Sequence, residues 1–113
     1  MIVLDTSFLV AFFNEEDSLH TKALADMREV EKEQQLISDY VALETATVLN
    51  YKKSHEVAMK FLEVIKQKSG VTIHYFDPGD FESISEIFRQ QRGQLSFIDA
   101  SVIYLSKQSF CRG

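Results

Sequence analysis

The fold prediction starts from MIVLDTSFLVAFF, which occupies residues 1–13. Residues 2–4 form a short apolar run with two β-branched members, a pattern typical of a strand that is buried on both faces. Asp5 follows directly, and Thr6 and Ser7 after it are residue types that often begin a helix. We therefore predict a central parallel strand that carries a carboxylate at its carboxyl end, the edge where open α/β sheets bind ligands.

The rest of the chain alternates between helix patterns and short strand patterns. Helices are predicted over residues 7–13, 18–35, 40–53, 55–68, 81–91 and 97–108, and strands over residues 36–38 and 71–76. This alternation is typical of α/β proteins with a parallel sheet, so we predict a single α/β domain over residues 1–113.

The C-terminal segment does not complete the predicted sheet. The sequence shows only three strand patterns, and residues 109–113, SFCRG, resemble the start of a fourth strand that nothing continues. A parallel sheet normally covers both sides of its first strand. We therefore expect a domain that is C-terminally incomplete, lacking its last strand or strands, or one whose gap a partner fills.

Composition limits the classes of function. The 113 residues suffice for one domain with a modest core, and no apolar run approaches the roughly 18 residues that span a membrane. The N-terminal apolar run lacks a preceding basic segment, which argues against a signal peptide, and a single cysteine, Cys111, suits a reducing cytoplasm. The net charge of −5 gives no general attraction to nucleic acid. An RNA or DNA substrate would need local positive charge, for which a divalent cation is the simplest source.

Three carboxylates interrupt apolar patterns in the predicted elements. Glu44 shares a helix face with Val41 and Val48, Asp99 lies on an apolar side of the last helix, and Asp5 ends the first strand. Burying unpaired carboxylates is costly, and no Lys or Arg lies within a turn of Glu44 on its face or within similar reach of Asp99. A shared cation would neutralise all three, and oxygen ligands without His or Cys favour Mg²⁺ or Mn²⁺.

Each of these acids also has a purely structural explanation. Asp99 can form a capping box with Ser96, since the pair has the S-x-x-D spacing. Asp5 can cap the helix that follows it, and Glu44 can reach solvent at an edge. Any one of these alternatives is as good as the functional one for its residue. The coincidence of three acids at matching ends of elements favours a carboxylate metal site.

Three segments together resemble a known family. They are IVLDTSFLVAFF, SDYVALETATVL and LSFIDASVIYLSKQ, and in this order and spacing they resemble the PIN-domain family, most closely its VapC-like toxin ribonucleases. The resemblance covers essentially the whole chain. It implies a PIN-like, Rossmann-like three-layer fold with a Mg²⁺- or Mn²⁺-dependent endoribonuclease site at the carboxyl edge of the parallel sheet. It also implies an RNA substrate and an antitoxin partner, and a homodimer is an alternative assembly.

The resemblance assigns roles to particular residues. The family's first three acidic positions, which hold the metal and perform catalysis, are matched by Asp5, Glu44 and Asp99. Its hydroxyl positions, which orient the acids or bound water, are matched by Thr6 or Ser7 and by Ser96.

One feature of the family's pattern is absent from this sequence. Such proteins usually carry a fourth acid after the strand that follows the last helix. Asp77 is a poor substitute because its strand should lie at the far sheet edge, and helix capping explains Asp39 more simply. The missing acid favours a second hypothesis, a catalytically silent PIN-like module that binds RNA or a protein partner.

Several other residues have weaker functional interpretations. Arg89 and Arg92 flank the Asp99 region and are candidates for phosphate contacts, although solvated surface charge explains both. Lys52 and Lys53 are expected to form a solvated helix end. The phenylalanines of the first helix are expected in the core, with a dimer or antitoxin groove as the alternative.

Overall fold

The computed structural model describes residues 1–111, with the side chains of residues 1–108. Within this part of the chain, three parallel strands form one sheet in the order β1-β2-β3. The strands are β1 (Ile2–Val3), β2 (Gln35–Ser38) and β3 (Val71–His74). The helices are α1 (Thr6–Phe13), α2 (His20–Val30), α3 (Asp39–Lys52), α4 (His55–Gln67), α5 (Pro78–Gln90) and α6 (Phe97–Cys111). The predicted α/β class with a parallel sheet is confirmed.

Within the described residues β1 lies at one edge of the sheet and pairs only with β2, which agrees with the expected gap beside the first strand. Ile2 and Val3 are only half-buried, because just one side of β1 has a neighbouring strand. Beside β1 is an open apolar depression whose walls include Phe8 and Val30. The strand that is buried throughout is β2, all four of whose residues are enclosed between β1 and β3.

Several element boundaries differ from the predictions for local reasons. α2 begins at His20 and not at residue 18, because a turn closed by Asp17 precedes it. α5 begins at Pro78, a residue suited to the first helical turn, instead of at Phe81. α6 continues to Cys111, so residues 109–111 are helical and do not start a fourth strand. Residues 112–113 lie outside the described part.

The helix packing determines where the functional residues meet. α1 packs against α2 and α3, α3 packs against α4, and α6 contacts both α3 and β1. Buried side chains of α1, α3 and α4, such as Leu9, Leu49 and Phe61, form one core with Ile37 of β2. Phe8 and Phe13 pack against this core, as predicted. The start of α1, one face of α3 and the start of α6 therefore lie close together. None of the described helices is long and apolar enough to cross a membrane.

Candidate functional site

An open cleft of about 330 Å³ lies at the carboxyl end of β1, between α1, α3 and α6. Its polar lining consists of Asp5, Thr6, Ser7, Asp17, Glu44, Lys52 and Asp99. Its apolar lining consists of Val10, Leu19, Val48, Ile98 and Val102. The three acids singled out in the sequence, which come from three different elements, thus share one cleft.

Asp5 is held in place by the helix it precedes. It is the N-cap of α1, with an extended backbone, and its Oδ1 accepts a hydrogen bond of 2.9 Å from the amide of Phe8. The structural alternative for this residue is therefore correct. Capping uses only Oδ1, and Oδ2 has no hydrogen-bonding partner in the part of the chain that the structure describes.

Asp99 is likewise tied to the start of its helix. The amide of Ser96 donates to Asp99 Oδ2 at 3.2 Å, and the amide of Asp99 donates to Ser96 Oγ at 3.0 Å. These reciprocal bonds form a capping box, so the structural alternative is correct here too. Ser96 does not line the cleft itself but bonds to Asp99, which does.

Glu44 projects from the face of α3 that forms one wall of the cleft. It is half-buried, between the buried Val41 and the half-buried Val48. Among the described residues it makes neither a hydrogen bond nor an ion pair. Asp5 and Asp99, in contrast, are exposed. The predicted cost of burying unpaired carboxylates therefore does not arise for these two residues. Both stand at a helix start, where the mouth of the cleft is open to solvent.

The hydroxyl group of Thr6 gives an independent indication of a polar ligand. Thr6 Oγ1 is buried, yet it has no hydrogen-bonding partner within residues 1–111. Such orphaned polar atoms are uncommon in folded proteins and are normally satisfied by water or a bound group. Ser7 also lines the cleft but is exposed, so both candidates for the first hydroxyl position, Thr6 and Ser7, lie there.

The oxygen atoms that line the cleft are chemically suited to binding a hard divalent cation. The polar lining offers carboxylate and hydroxyl oxygens, with no His or Cys. Among the described side chains, those of residues 1–108, no three from His, Cys, Asp or Glu converge closely enough to hold an ion directly. Mg²⁺ does not need such convergence, because it keeps several waters and binds through one or two carboxylates.

The sequence comparison places this architecture in a family. Residues 2–111 match the family model described as the PIN domain. The chain belongs to the PIN-domain family. Its structure is similar to the crystal structure of VapC20 from Mycobacterium tuberculosis, a toxin that cleaves the sarcin–ricin loop, with a TM-score of 0.82 and 25% sequence identity. The match covers 96% of this chain and 83% of that chain. No curated protein matches the sequence significantly. The predicted family and PIN-like fold are confirmed.

Asp17 and Lys52 of this PIN domain also line the cleft, although neither was predicted as a site residue. Asp17 belongs to the turn before α2, where its Oδ1 accepts from the amide of Leu19 at 2.8 Å. Only the packing of α1 on α2 brings it to the cleft, so no sequence pattern could have found it. Lys52 was expected to form a solvated helix end, and it is exposed. It also follows Glu44 and Val48 at four-residue spacing, a sequence pattern that indicates a shared face of α3.

The two arginines that were candidates for phosphate contacts, Arg89 and Arg92, do not line the cleft of the PIN domain. Arg89 pairs with Glu86 on α5, and this guanidinium lowers the pKa of the Glu86 carboxyl. Arg92 follows α5 with a left-handed backbone, φ 52°. A contact of either arginine with an RNA phosphate outside the cleft stays a prediction.

The two substitutes considered for the fourth acid follow β2 and β3, and neither lines the cleft. Asp77 follows β3, the strand farthest from β1, and forms the capping box of α5 with Asp80. Asp39 Oδ1 accepts from the amide of Phe76 at 3.3 Å, whereas Ser38 is the N-cap of α3. Both acids therefore serve the local structure around β3 and α3.

Proposed function

We propose that this PIN domain is a Mg²⁺- or Mn²⁺-dependent endoribonuclease and the toxin of a toxin–antitoxin pair. The observation that carries the proposal is the shared cleft of Asp5, Glu44 and Asp99, three acids brought together from distant parts of the sequence. Membership of the PIN-domain family and the similarity to a toxin that cleaves RNA support it. The reaction is hydrolysis of a phosphodiester bond in RNA.

The chain's own residues prepare the site before RNA binds. Asp5, Glu44 and Asp99 would hold the divalent ion, which supplies a water of lowered pKa and neutralises developing phosphate charge. Hydrogen bonds from backbone amides fix the carboxylates of Asp5 and Asp99, so little orientational freedom has to be lost on binding. The unpartnered hydroxyl of Thr6 can donate to a carboxylate or to a water molecule in the cleft.

The proposal also includes the RNA substrate, the protein partner, the cellular location and the assembly. Because the similar toxin VapC20 cleaves the sarcin–ricin loop, a structured RNA loop is the first substrate to test. Unpaired loop bases can be splayed out and reached, whereas those of a regular RNA helix cannot. An antitoxin protein is the expected partner, the cytoplasm is the expected location, and a homodimer is a further possibility for the assembly.

Cleavage of a synthetic sarcin–ricin hairpin and of whole ribosomal RNA, with Mg²⁺ or Mn²⁺, tests the proposed activity. We expect defined fragments that disappear with EDTA and with Asp5→Asn or Glu44→Gln. Glu63→Gln is the matched control, because Glu63 is exposed on α4 and does not line the cleft. RNA binding without cleavage under all of these conditions would instead establish the catalytically silent module.

A further inference from the structure

The cleft contains one basic side chain among its described lining residues, Lys52, beside four acids. Lys52 lies in the last turn of α3 and is exposed. Within the described residues its ammonium group forms no ion pair. A cation that is close to several carboxylates but paired with none of them is available for an anionic ligand.

The neighbouring Lys53, at the same end of α3, has a structural role. Lys53 Nζ lies 3.0 Å from Glu16 and 3.7 Å from Glu15, and its side chain is only 24% exposed. These contacts raise the pKa of Lys53, chiefly through the hydrogen bond with Glu16. Lys53 thus fastens the end of α3 to the turn after α1, and Lys52 is not needed for that purpose.

We propose that Lys52 binds a phosphate of the RNA backbone and so positions the strand across the acidic cleft. The inference rests on the proposed ribonuclease function and adds an RNA-binding residue to it. Glu44, Val48 and Lys52 follow one another at four-residue spacing, so all three lie on the cleft-facing side of α3. With a helical rise of 1.5 Å per residue, Lys52 lies about 12 Å along the axis from Glu44.

This separation suits a phosphate away from the scissile bond. The phosphate that reacts lies among the three acids, where a bound divalent ion compensates its charge. Flanking phosphates receive no such compensation from a chain of net charge −5. The flexible stem and ammonium group of a lysine can meet one of these phosphates as a point charge.

The test measures binding of a fluorescein-labelled sarcin–ricin hairpin RNA by anisotropy over a range of salt concentrations. Asp5→Asn serves as the non-cleaving background. In that background, Lys52→Gln should weaken binding about five- to tenfold and reduce the slope of log K against log salt by about 0.7 to 0.9, the value for one phosphate contact. Lys52→Arg should restore binding. Lys60→Gln, the same charge change at an exposed position of α4 outside the cleft, is the control.

Cleavage kinetics give a second measurement. A contact to a remote phosphate is made equally in the ground and transition states, so Lys52→Gln should raise KM with kcat nearly unchanged. The proposal is overturned if Lys52→Gln and Lys60→Gln have the same salt slope, or if the wild type binds no RNA. It is also overturned if Lys52→Gln lowers the thermal midpoint while RNA binding is unaffected, because Lys52 would then only balance the acids. Failure of the proposed function is distinct, since it would appear as normal RNA binding without cleavage by the wild type.

Discussion

Ser96 and Asp99 bond to each other's backbone amides at the start of α6, at 3.0 and 3.2 Å. A residue proposed to hold a metal ion is thereby also part of a helix cap. The same holds for Asp5, which caps α1 through one carboxylate oxygen. In this protein the structural role of an acid therefore orients it for its proposed chemical role, and the two roles can be separated by substitution.

Ser96→Ala should both destabilise the protein and slow cleavage. It removes the acceptor for the Asp99 amide, which should lower the free energy of unfolding by about 1 kcal/mol, and it loosens Asp99 at the cleft. Urea denaturation and cleavage rates measure the two effects. Ser54→Ala is the matched control, because Ser54 caps α4 in the same way at 3.1 Å but does not line the cleft. Equal cleavage by the two variants would show that the Ser96 cap has no catalytic consequence.

Asp5→Asn and Asp5→Ala should differ in stability but not in activity. Asn is a good N-cap, and its amide oxygen can still accept from Phe8, so Asp5→Asn should unfold close to the wild type. Asp5→Ala should lose about 1 kcal/mol of unfolding free energy. Both remove the anionic ligand and should abolish cleavage. If Asp5→Asn retains full cleavage, the residue is only a cap.

Thr6→Val should impair cleavage without destabilising the fold. Thr6 Oγ1 is buried without a partner, so replacing it by a methyl group removes an unsatisfied polar atom, a change that is neutral or stabilising. Thr45→Val is the control, since Thr45 Oγ1 is also buried and unpartnered within the described residues but lies outside the cleft. We expect similar thermal midpoints for both variants and slower cleavage for Thr6→Val alone. Unimpaired cleavage by Thr6→Val would remove this hydroxyl from the site.

Tyr104→Phe should destabilise the protein at neutral pH more than at acid pH. The Tyr104 hydroxyl donates to Asp80 Oδ1 at 2.5 Å and, together with the Asp77 amide, holds the pKa of Asp80 below its usual range. The stabilisation from a lowered carboxyl pKa is complete above about pH 4 and is lost as the pH falls through the folded-state pKa.

Urea denaturation of Tyr104→Phe should therefore show a loss of about 1 kcal/mol at pH 7 and a smaller one at pH 3. Tyr51→Phe is the control, because Tyr51 is 88% exposed. An equal loss at both pH values would mean that the bond does not depend on the charge of Asp80.

The elements could be predicted from local sequence, but their arrangement could not. Periodicity and capping residues located the helices and strands to within a few residues, except that α2 ends at Val30 and not at residue 35, where β2 begins. The PIN resemblance predicted the parallel sheet. The position of β1 within the sheet could not be read from residues 2–4 alone, because an apolar run has the same pattern wherever the strand lies. Local patterns also did not show that Arg89 pairs with Glu86 on α5.

Only part of the candidate site could be predicted, because the packing of helices, which local sequence does not show, brings some residues to the cleft. Glu44 and Asp99 break helical patterns and can be recognised along the sequence, and Asp5 is marked by the strand that it ends. Asp17 breaks no pattern, since acids are ordinary in a polar turn, and it reaches the cleft only through the packing of α1 on α2. Lys52 is exposed in the last turn of α3, as predicted, but its place in the cleft lining was not predicted, because a lysine there already interacts favourably with the helix dipole.

Titration with Mn²⁺ by calorimetry tests most directly whether the acids of the cleft hold a divalent ion. If they do, the wild type and Glu63→Gln should bind Mn²⁺ alike. Asp5→Asn, Glu44→Gln and Asp99→Asn should each weaken Mn²⁺ binding at least about tenfold, a change of about 1.4 kcal/mol in binding free energy. Undiminished Mn²⁺ binding in all three variants, with the fold intact by circular dichroism, would contradict this prediction.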